Sequence, residues 1–232
     1  MRKPVVDYRK LRFSNITSPQ YRHLFLLLGW VAYFCAYFLT ENLIPEGKCH
    51  DVSCALDYII PFNEWFVIPY VGWYILIVVS LGYFLLYNID NFKGLQTFII
   101  ITQAIAVVWY IVWPSSVDEL RPDLSTLGRS NFLTWIMSII HSADTPTGVC
   151  PSLHVAYSIG IASAWLKEKS ATWYVKTIVV VFVILVCMSV AFTKQHSVVD
   201  IYAAIPVCLV AECIAFGKYY KRKWSKNAVS QG

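Results

Sequence analysis

Long apolar runs separated by short polar segments dominate the chain. Six runs stand out, at 23–40, 66–88, 96–113, 152–166, 172–192 and 198–217. A helix that crosses a bilayer needs ~20 predominantly apolar residues. The second and fifth runs reach that length outright, and the first and third, at 18 residues each, are just long enough. The fourth would rise only about 22 Å as a helix, so it has to begin below the membrane surface or borrow residues from its flanks. Trp30, Trp65, Trp109, Trp113, Trp165 and Trp173 mostly fall near the predicted ends, where indole rings settle at the headgroup level. The pattern predicts an all-α fold, a polytopic bundle of six transmembrane helices.

Composition narrows the class. Apolar residues make up 57% of the 232 positions and charged residues 14%, with a mean hydropathy of +0.54. An ordinary soluble domain carries about 25% charged residues. This chain has too few charges to clothe a water-exposed surface, which excludes a soluble enzyme, a disordered chain and a disulfide-dense miniprotein. The net charge of +5 does not call for nucleic acid, because its distribution follows the predicted topology. Fifteen of the nineteen Lys and Arg residues fall on one side of the predicted bundle: Arg2, Lys3, Arg9, Lys10, Arg12, Arg22, Lys93, Lys167, Lys169, Lys176, Lys218, Lys221, Arg222, Lys223 and Lys226. Lys48, Arg121, Arg129 and Lys194 occupy the other side, together with ten of the fourteen acidic residues. Positive-inside bias puts both termini in the cytoplasm and the loops at 41–65, 114–151 and 193–197 outside. The expected organisation is a basic tail at 1–22, one membrane domain at 23–217 and a second basic tail at 218–232. No cleavable signal peptide is evident, since the first apolar run follows a long charged tail without a small-residue cleavage site.

Cys35, Cys187, Cys208 and Cys213 fall within runs and read as small apolar packing residues. Cys49 and Cys54 share the first outer loop, where an oxidising compartment would allow a bridge. With His50 between them they suggest a metal site, but a fourth ligand is missing. A local disulfide or two thiols are the alternatives. Cys150 is left beside a group of residues with more chemistry.

Three segments in the outer loops suit phosphate. The first is Arg121-Pro122, whose guanidinium is a planar, permanently charged fork for phosphate oxygens; a solvated loop charge is the plainer reading. The second, Cys150-Pro151-Ser152-Leu153-His154, opens the fourth helix. Proline is tolerated at a helix start, and the amides of a first turn form an anion site. Ser152 adds a hydroxyl, and His154 a group that donates a proton near neutral pH; a helix cap and an interfacial histidine are the alternative. The third is Thr193-Lys194-Gln195-His196-Ser197-Val198-Val199-Asp200. Four residues apart on a helix, His196 and Asp200 would share a face. Asp200 would satisfy itself by accepting from the imidazole, leaving the other nitrogen as a nucleophile. Lys194 adds a positive charge nearby, and a purely structural His–Asp pair is the alternative.

Together these residues resemble the signature of the type 2 phosphatidic acid phosphatase superfamily, which runs Lys-x6-Arg-Pro, then Pro-Ser-Gly-His, then Ser-Arg-x5-His-x3-Asp. The resemblance covers roughly residues 66–217. Arg121-Pro122 matches the end of the first motif, Pro151, Ser152 and His154 the second, and His196 with Asp200 the third. Pro114 stands where the family has its first Lys, Leu153 replaces Gly, and Val190 replaces the Arg of the third motif, with Lys194 as a substitute two residues before the histidine. These departures look more like the branch containing inositol phosphorylceramide synthases. The resemblance implies a metal-independent enzyme with no cofactor. His196 would attack phosphorus and form a phosphohistidine, Asp200 would stabilise the imidazolium, and His154 would protonate the leaving alkoxide. Arg121, Ser152 and Lys194 would hold the phosphate oxygens. The implied partner is a lipid phosphate in the bilayer: phosphatidate, phosphatidylglycerophosphate or a polyprenyl diphosphate. The expected location is the plasma membrane, with an extracytoplasmic site. Hydrolysis is the first expectation, because the outer loops look short enough to leave the site wet. Transfer of a phospho-headgroup between lipids is the second, and a silent scaffold or transporter retaining the fold is the third. Glu212, about 24 Å along the last helix from His196, reads as interfacial. Asp123, Arg129, His141 and Asp144 share the long outer loop with Arg121, and the sequence ranks none of them.

Overall fold

The computed structural model describes residues 3–221. Arg2, Arg222, Lys223 and Lys226 of the basic tails lie outside the described residues. The described residues carry the fold on helices α1 (Leu28–Leu43), α2 (Ala55–Ile59), α3 (Val67–Tyr87), α4 (Ile89–Val112), α5 (Phe132–Ala143), α6 (Leu153–Lys167), α7 (Trp173–Phe192) and α8 (Val198–Ala215). A 3-10 stretch, Arg22–Leu27, leads into α1, and another, Glu64–Phe66, leads into α3. The segments Arg22–Leu43, Glu64–Tyr87, Ile89–Val112, Trp173–Phe192 and Val198–Ala215 are each long and apolar enough to cross a membrane. The chain is a membrane-embedded helical protein.

Five of the six predicted runs thus return as helices of spanning length. The third begins earlier than its apolar run, because polar residues find partners inside the protein. Asn88 caps α4 by accepting from the Asn91 N–H, and Asn91 donates to Glu168 and to the Ala164 carbonyl. The fourth run is the exception. Helix α6 has only 15 residues and lies in the middle of the molecule, packed on α3, α4, α7 and α8. Burial on several faces explains its composition. Small residues replace bulky ones, and Trp165 donates to the buried Ser80 hydroxyl at 3.0 Å. The outward faces are apolar instead: Ile75, Val78, Ile178 and Leu209 are all exposed, as a lipid-facing surface requires.

The α4–α6 contact depends on one glycine. A Cβ on Gly160 would lie 2.6 Å from Phe98 Cδ1, and Phe98 is fully buried with nowhere to move. Gly160→Val is therefore expected to destabilise the protein by at least ~1–3 kcal/mol through overpacking. A lowered thermal midpoint in detergent checks this.

At one end, α6 and α8 close on a polar cluster. Glu212 pairs with Lys167 and accepts from Ser163 Oγ at 2.7 Å and from the Tyr220 hydroxyl. The N-terminal segment docks nearby, where Val5 N–H donates to the Leu86 carbonyl and Tyr8 to that of Leu85. The interfacial reading of Glu212 agrees with this placement, at the end of α8 opposite His196. The other end carries the loops with the phosphate-suited motifs. There the two-residue strand β1 (His50–Asp51) pairs in parallel with β2 (Ser115–Ser116). Helices α2 and α5, which no apolar run announced, complete this cap. Asn131 caps α5 by accepting from the Leu133 and Thr134 amides. Helix α5 turns Thr134 and Met137 inward and leaves Phe132 and Trp135 exposed.

Candidate active site

The turn joining α7 to α8 builds the centre of the site. Lys194 adopts a left-handed conformation, φ 59°, and reverses the chain. The Gln195 and His196 amides then both donate to the Val190 carbonyl, at 3.0 and 3.1 Å. Ser197 is the N-cap of α8, and its partner in a capping box is Asp200, whose Oδ2 accepts the Ser197 N–H at 3.0 Å. Here the geometry differs from the expectation. His196 lies outside the helix, so it does not share a helical face with Asp200. The capping box brings the carboxylate back to the turn, where Oδ2 lies 3.2 Å from His196 Nδ1.

Proton positions follow from donor and acceptor chemistry. The Asp200 oxygen already accepts the Ser197 amide, so a carboxylate there accepts from His196 as well. Nδ1 of His196 then carries the hydrogen, and Nε2 carries the lone pair. That Nε2 faces His154 Nδ1 at 3.4 Å, so Nδ1 of His154 is the proton-bearing partner. His154 Nε2 is buried without a partner. Tyr70 stacks on the His154 ring at 4.6 Å, and Trp73 lies 4.1 Å away, tilted by 32°. These aromatic rings come from one stripe of α3. The site therefore presents, in order, a carboxylate, an imidazole with a free lone pair, and a second imidazole with a proton to give.

The framework around this relay is tightly bonded. The Ser152 N–H donates to the Asp200 carbonyl at 3.2 Å, and the Ser152 hydroxyl accepts from the Val155 amide at 3.4 Å. Ser152 is fully buried and fastens the start of α6 to that of α8. The amides expected to greet an anion at this helix start are therefore partly engaged within the protein. Lys194 is also buried, and its Nζ donates to the Asp57 and Ile60 carbonyls. Burial lowers its pKa, against the opposing charge of Asp57. Asp57 in turn accepts the Ser197 hydroxyl at 2.6 Å and the Val198 amide at 2.8 Å. Burial raises its pKa, but these hydrogen bonds outweigh it and hold the net value below that of an ordinary carboxyl. Cys150 lies against Asp200, and burial together with that carboxylate pushes its thiol up to about 12.

Arg121 is held in the same way. Its Nη1 donates to the Asp144 carbonyl at 2.7 Å, and its Nη2 to the Thr145 carbonyl at 2.9 Å and to Gln195 Oε1 at 3.0 Å. Burial lowers its pKa and Asp144 opposes that shift. Because a guanidinium only donates, Gln195 must turn its oxygen toward Arg121 and its Nε2 away. That Nε2 has no partner, although Gln195 is only 2% exposed. No periodic pattern marked Gln195, and its place beside His196 was the one available signal.

A cavity of about 580 Å³ opens beside these groups. His154, His196, Gln195 and Asp144 line its polar end, while Ile77, Leu81, Trp30 and Phe34 line the other. Leu81 lies about 21 Å along α3 from Val67, so the cavity descends deep between α1 and α3. Of the residues singled out for phosphate, His154 and His196 line it. Asp200, Arg121, Ser152 and Lys194 form the layer behind. Ile139, Ile140 and Ala143 of α5 also line the cavity. Of the loop residues left unranked, Asp144 reaches the cavity. Arg129 pairs with Glu64 at 2.8 Å, and Asp123 is engaged with Ser125. Burial, with the charge of Arg121, brings His141 down to about 4.

Among the described residues, no three His, Cys, Asp or Glu side chains gather as a metal site. His50 stacks on Trp113 at 5.3 Å, and Cys54 caps α2. Comparison of the chain with protein-family models, curated proteins and solved structures gives no match in any of the three.

Proposed function

We propose that the protein is a membrane phosphotransfer enzyme that takes a phosphoryl group from a lipid phosphate onto His196. The observation that carries this reading is the chain Asp200–His196–His154 at the polar end of a cavity whose other end is apolar. An amphiphile fits such a space with its phosphate at the histidines and its chain between α1 and α3. Nε2 of His196 attacks phosphorus as the phosphate displaces the contact between the two rings. The His154 Nδ1 proton passes to the leaving alkoxide, general acid catalysis typically worth ~10²–10⁴ in rate. Asp200 stabilises the imidazolium character that develops on His196. An acceptor hydroxyl then attacks the phosphohistidine, giving its proton back to His154.

Gln195 Nε2 donates to a phosphoryl oxygen, with Arg121 locking the amide in that orientation and adding charge from behind. Ser152 and Lys194 hold the two helix starts in register. Gln195→Glu, which puts a carboxylate at that position, is expected to lower kcat by ~10²–10³, while the Arg121 contact to the remaining oxygen keeps the protein folded. Steady-state kinetics with a thermal-unfolding control check this.

Water as acceptor gives a lipid phosphatase. A second reading, transfer to another lipid's alcohol, is favoured by the apolar residues Ile139, Ile140 and Ala143 that α5 adds to the cavity lining. We place α6 as a sixth span beginning below the surface, with both termini cytoplasmic, the histidines extracytoplasmic and the protein in the plasma membrane. The test is release or transfer of phosphate by purified protein in maltoside detergent with excess chelator, across lipid phosphates with and without an added lipid alcohol. Turnover that survives the chelator is expected. Absence of turnover on every donor and acceptor overturns the proposal in favour of a silent scaffold.

A further inference from the structure

Resting on that reading of the histidine site, we propose that the lipid it takes is a zwitterionic phosphodiester, with Asp144 and the tyrosine rings beside it holding an ammonium-bearing headgroup. The argument starts from charge. Among the described residues, no lysine or arginine lines the cavity, and Asp144 is the one carboxylate that does. Arg121 and Lys194 are engaged with carbonyls behind the wall. A phosphate monoester would bring up to two negative charges to a space that presents a carboxylate and no facing cation. Like charges in a poorly solvated site repel strongly. A zwitterion brings its own counter-charge.

The carboxylate is also placed to receive one. The Tyr37 hydroxyl donates to Asp144 Oδ1 at 3.3 Å, and among the described residues no basic side chain forms an ion pair with Asp144. Burial raises its pKa, with Arg121 acting in the opposite sense, and a bound ammonium favours the charged form. Tyr33 and Tyr37 stack at 5.8 Å, and Tyr110 meets Tyr37 edge-on at 6.5 Å. All three line the cavity with Tyr74. Ammonium groups are attracted to such ring faces. The phosphate has a separate partner in Gln195 Nε2, a neutral donor that is buried and unpartnered at the cavity wall. An amide for the phosphate and a carboxylate among rings for the ammonium match the two ends of one headgroup, with the hydrocarbon chain lying below them.

Binding in maltoside detergent tests this directly, read from the fluorescence of the cavity tryptophans Trp30 and Trp73. The probes are dodecylphosphocholine, dodecylphosphoethanolamine and dodecyl 3,3-dimethylbutyl phosphate, in which carbon replaces the cationic nitrogen. The first or second is expected to bind at least ~10-fold more tightly than the carbon analogue, and the better of the two identifies the ammonium as quaternary or primary. In Asp144→Asn, whose amide oxygen still accepts from Tyr37, that ratio falls below ~3. A ratio near one in the intact protein, or a ratio that Asp144→Asn leaves unchanged, overturns the proposal. The same three probes in a turnover assay separate the two claims. Selective binding without turnover keeps the headgroup assignment and removes the phosphotransfer reading, whereas equal turnover of charged and carbon headgroups does the reverse.

Discussion

His196→Ala is expected to reduce turnover by at least ~10⁴-fold while folded protein remains extractable. The substitution removes the lone pair that, in the proposed mechanism, meets phosphorus. Losing the nucleophile of a covalent mechanism costs about as much as losing the whole catalytic unit. The fold does not depend on the ring. The imidazole touches Asp200 and His154, whereas the turn is fixed by backbone, through the amides of Gln195 and His196 on the Val190 carbonyl. Kinetics beside a thermal-unfolding curve make the separation: large loss of rate, small change of midpoint. A scaffold predicts that neither quantity changes.

Asp200→Asn should be nearly as damaging to turnover and should also weaken the fold. The aspartate Oδ2 accepts two hydrogens, one from Ser197 N–H and one from His196. A carboxamide offers one oxygen and one NH₂. If its NH₂ faces His196, Nδ1 must become the acceptor, and the hydrogen moves to Nε2, where the attacking lone pair was. The equivalent change behind the histidine of serine proteases costs ~10⁴ in kcat. If instead the oxygen takes the place of Oδ2, it keeps both donors but carries no charge to stabilise an imidazolium, and the NH₂ falls where Oδ1 stands buried without a partner, a donor left unsatisfied at about 1–3 kcal/mol. The expected result is therefore a kcat lower by ~10³–10⁴ with a lowered unfolding midpoint. Unchanged kcat would mean that Asp200 serves only as the α8 cap.

The membrane architecture was legible because it rests on composition and run length, which hardly depend on tertiary context. Val67–Tyr87 and Trp173–Phe192 fall within one or two residues of the runs that predicted them. The short α6 also stood out, since 15 residues cannot span without help, though its central packing could not be read from its length. Helix α5 escaped notice because it is short and amphipathic, with 12 residues. At the site, the identities of His154, His196 and Asp200 were readable from residue type and spacing, but the way they meet was not. Spacing suggested a shared helical face, and the fold uses a capping box instead. The placement of the cations was hidden for a related reason. Arg121 and Lys194 are attractive to phosphate in the abstract, yet each lies where loop carbonyls need donors, and those carbonyls come from residues 23 to 137 positions away along the chain. Gln195 and Asp144 gained importance from the same long-range contacts.

The proposed mechanism turns on a phosphohistidine, so trapping it is the most direct measurement. Purified protein is mixed with a turnover-competent lipid phosphate, quenched in alkali to preserve a phosphoramidate, digested and analysed by mass spectrometry. A phosphoryl adduct on His196 that is lost in acid and absent from His196→Ala is the predicted result. An intact protein that turns over lipid without ever carrying phosphorus on His196 would contradict the account and leave the histidine as a base that activates the acceptor.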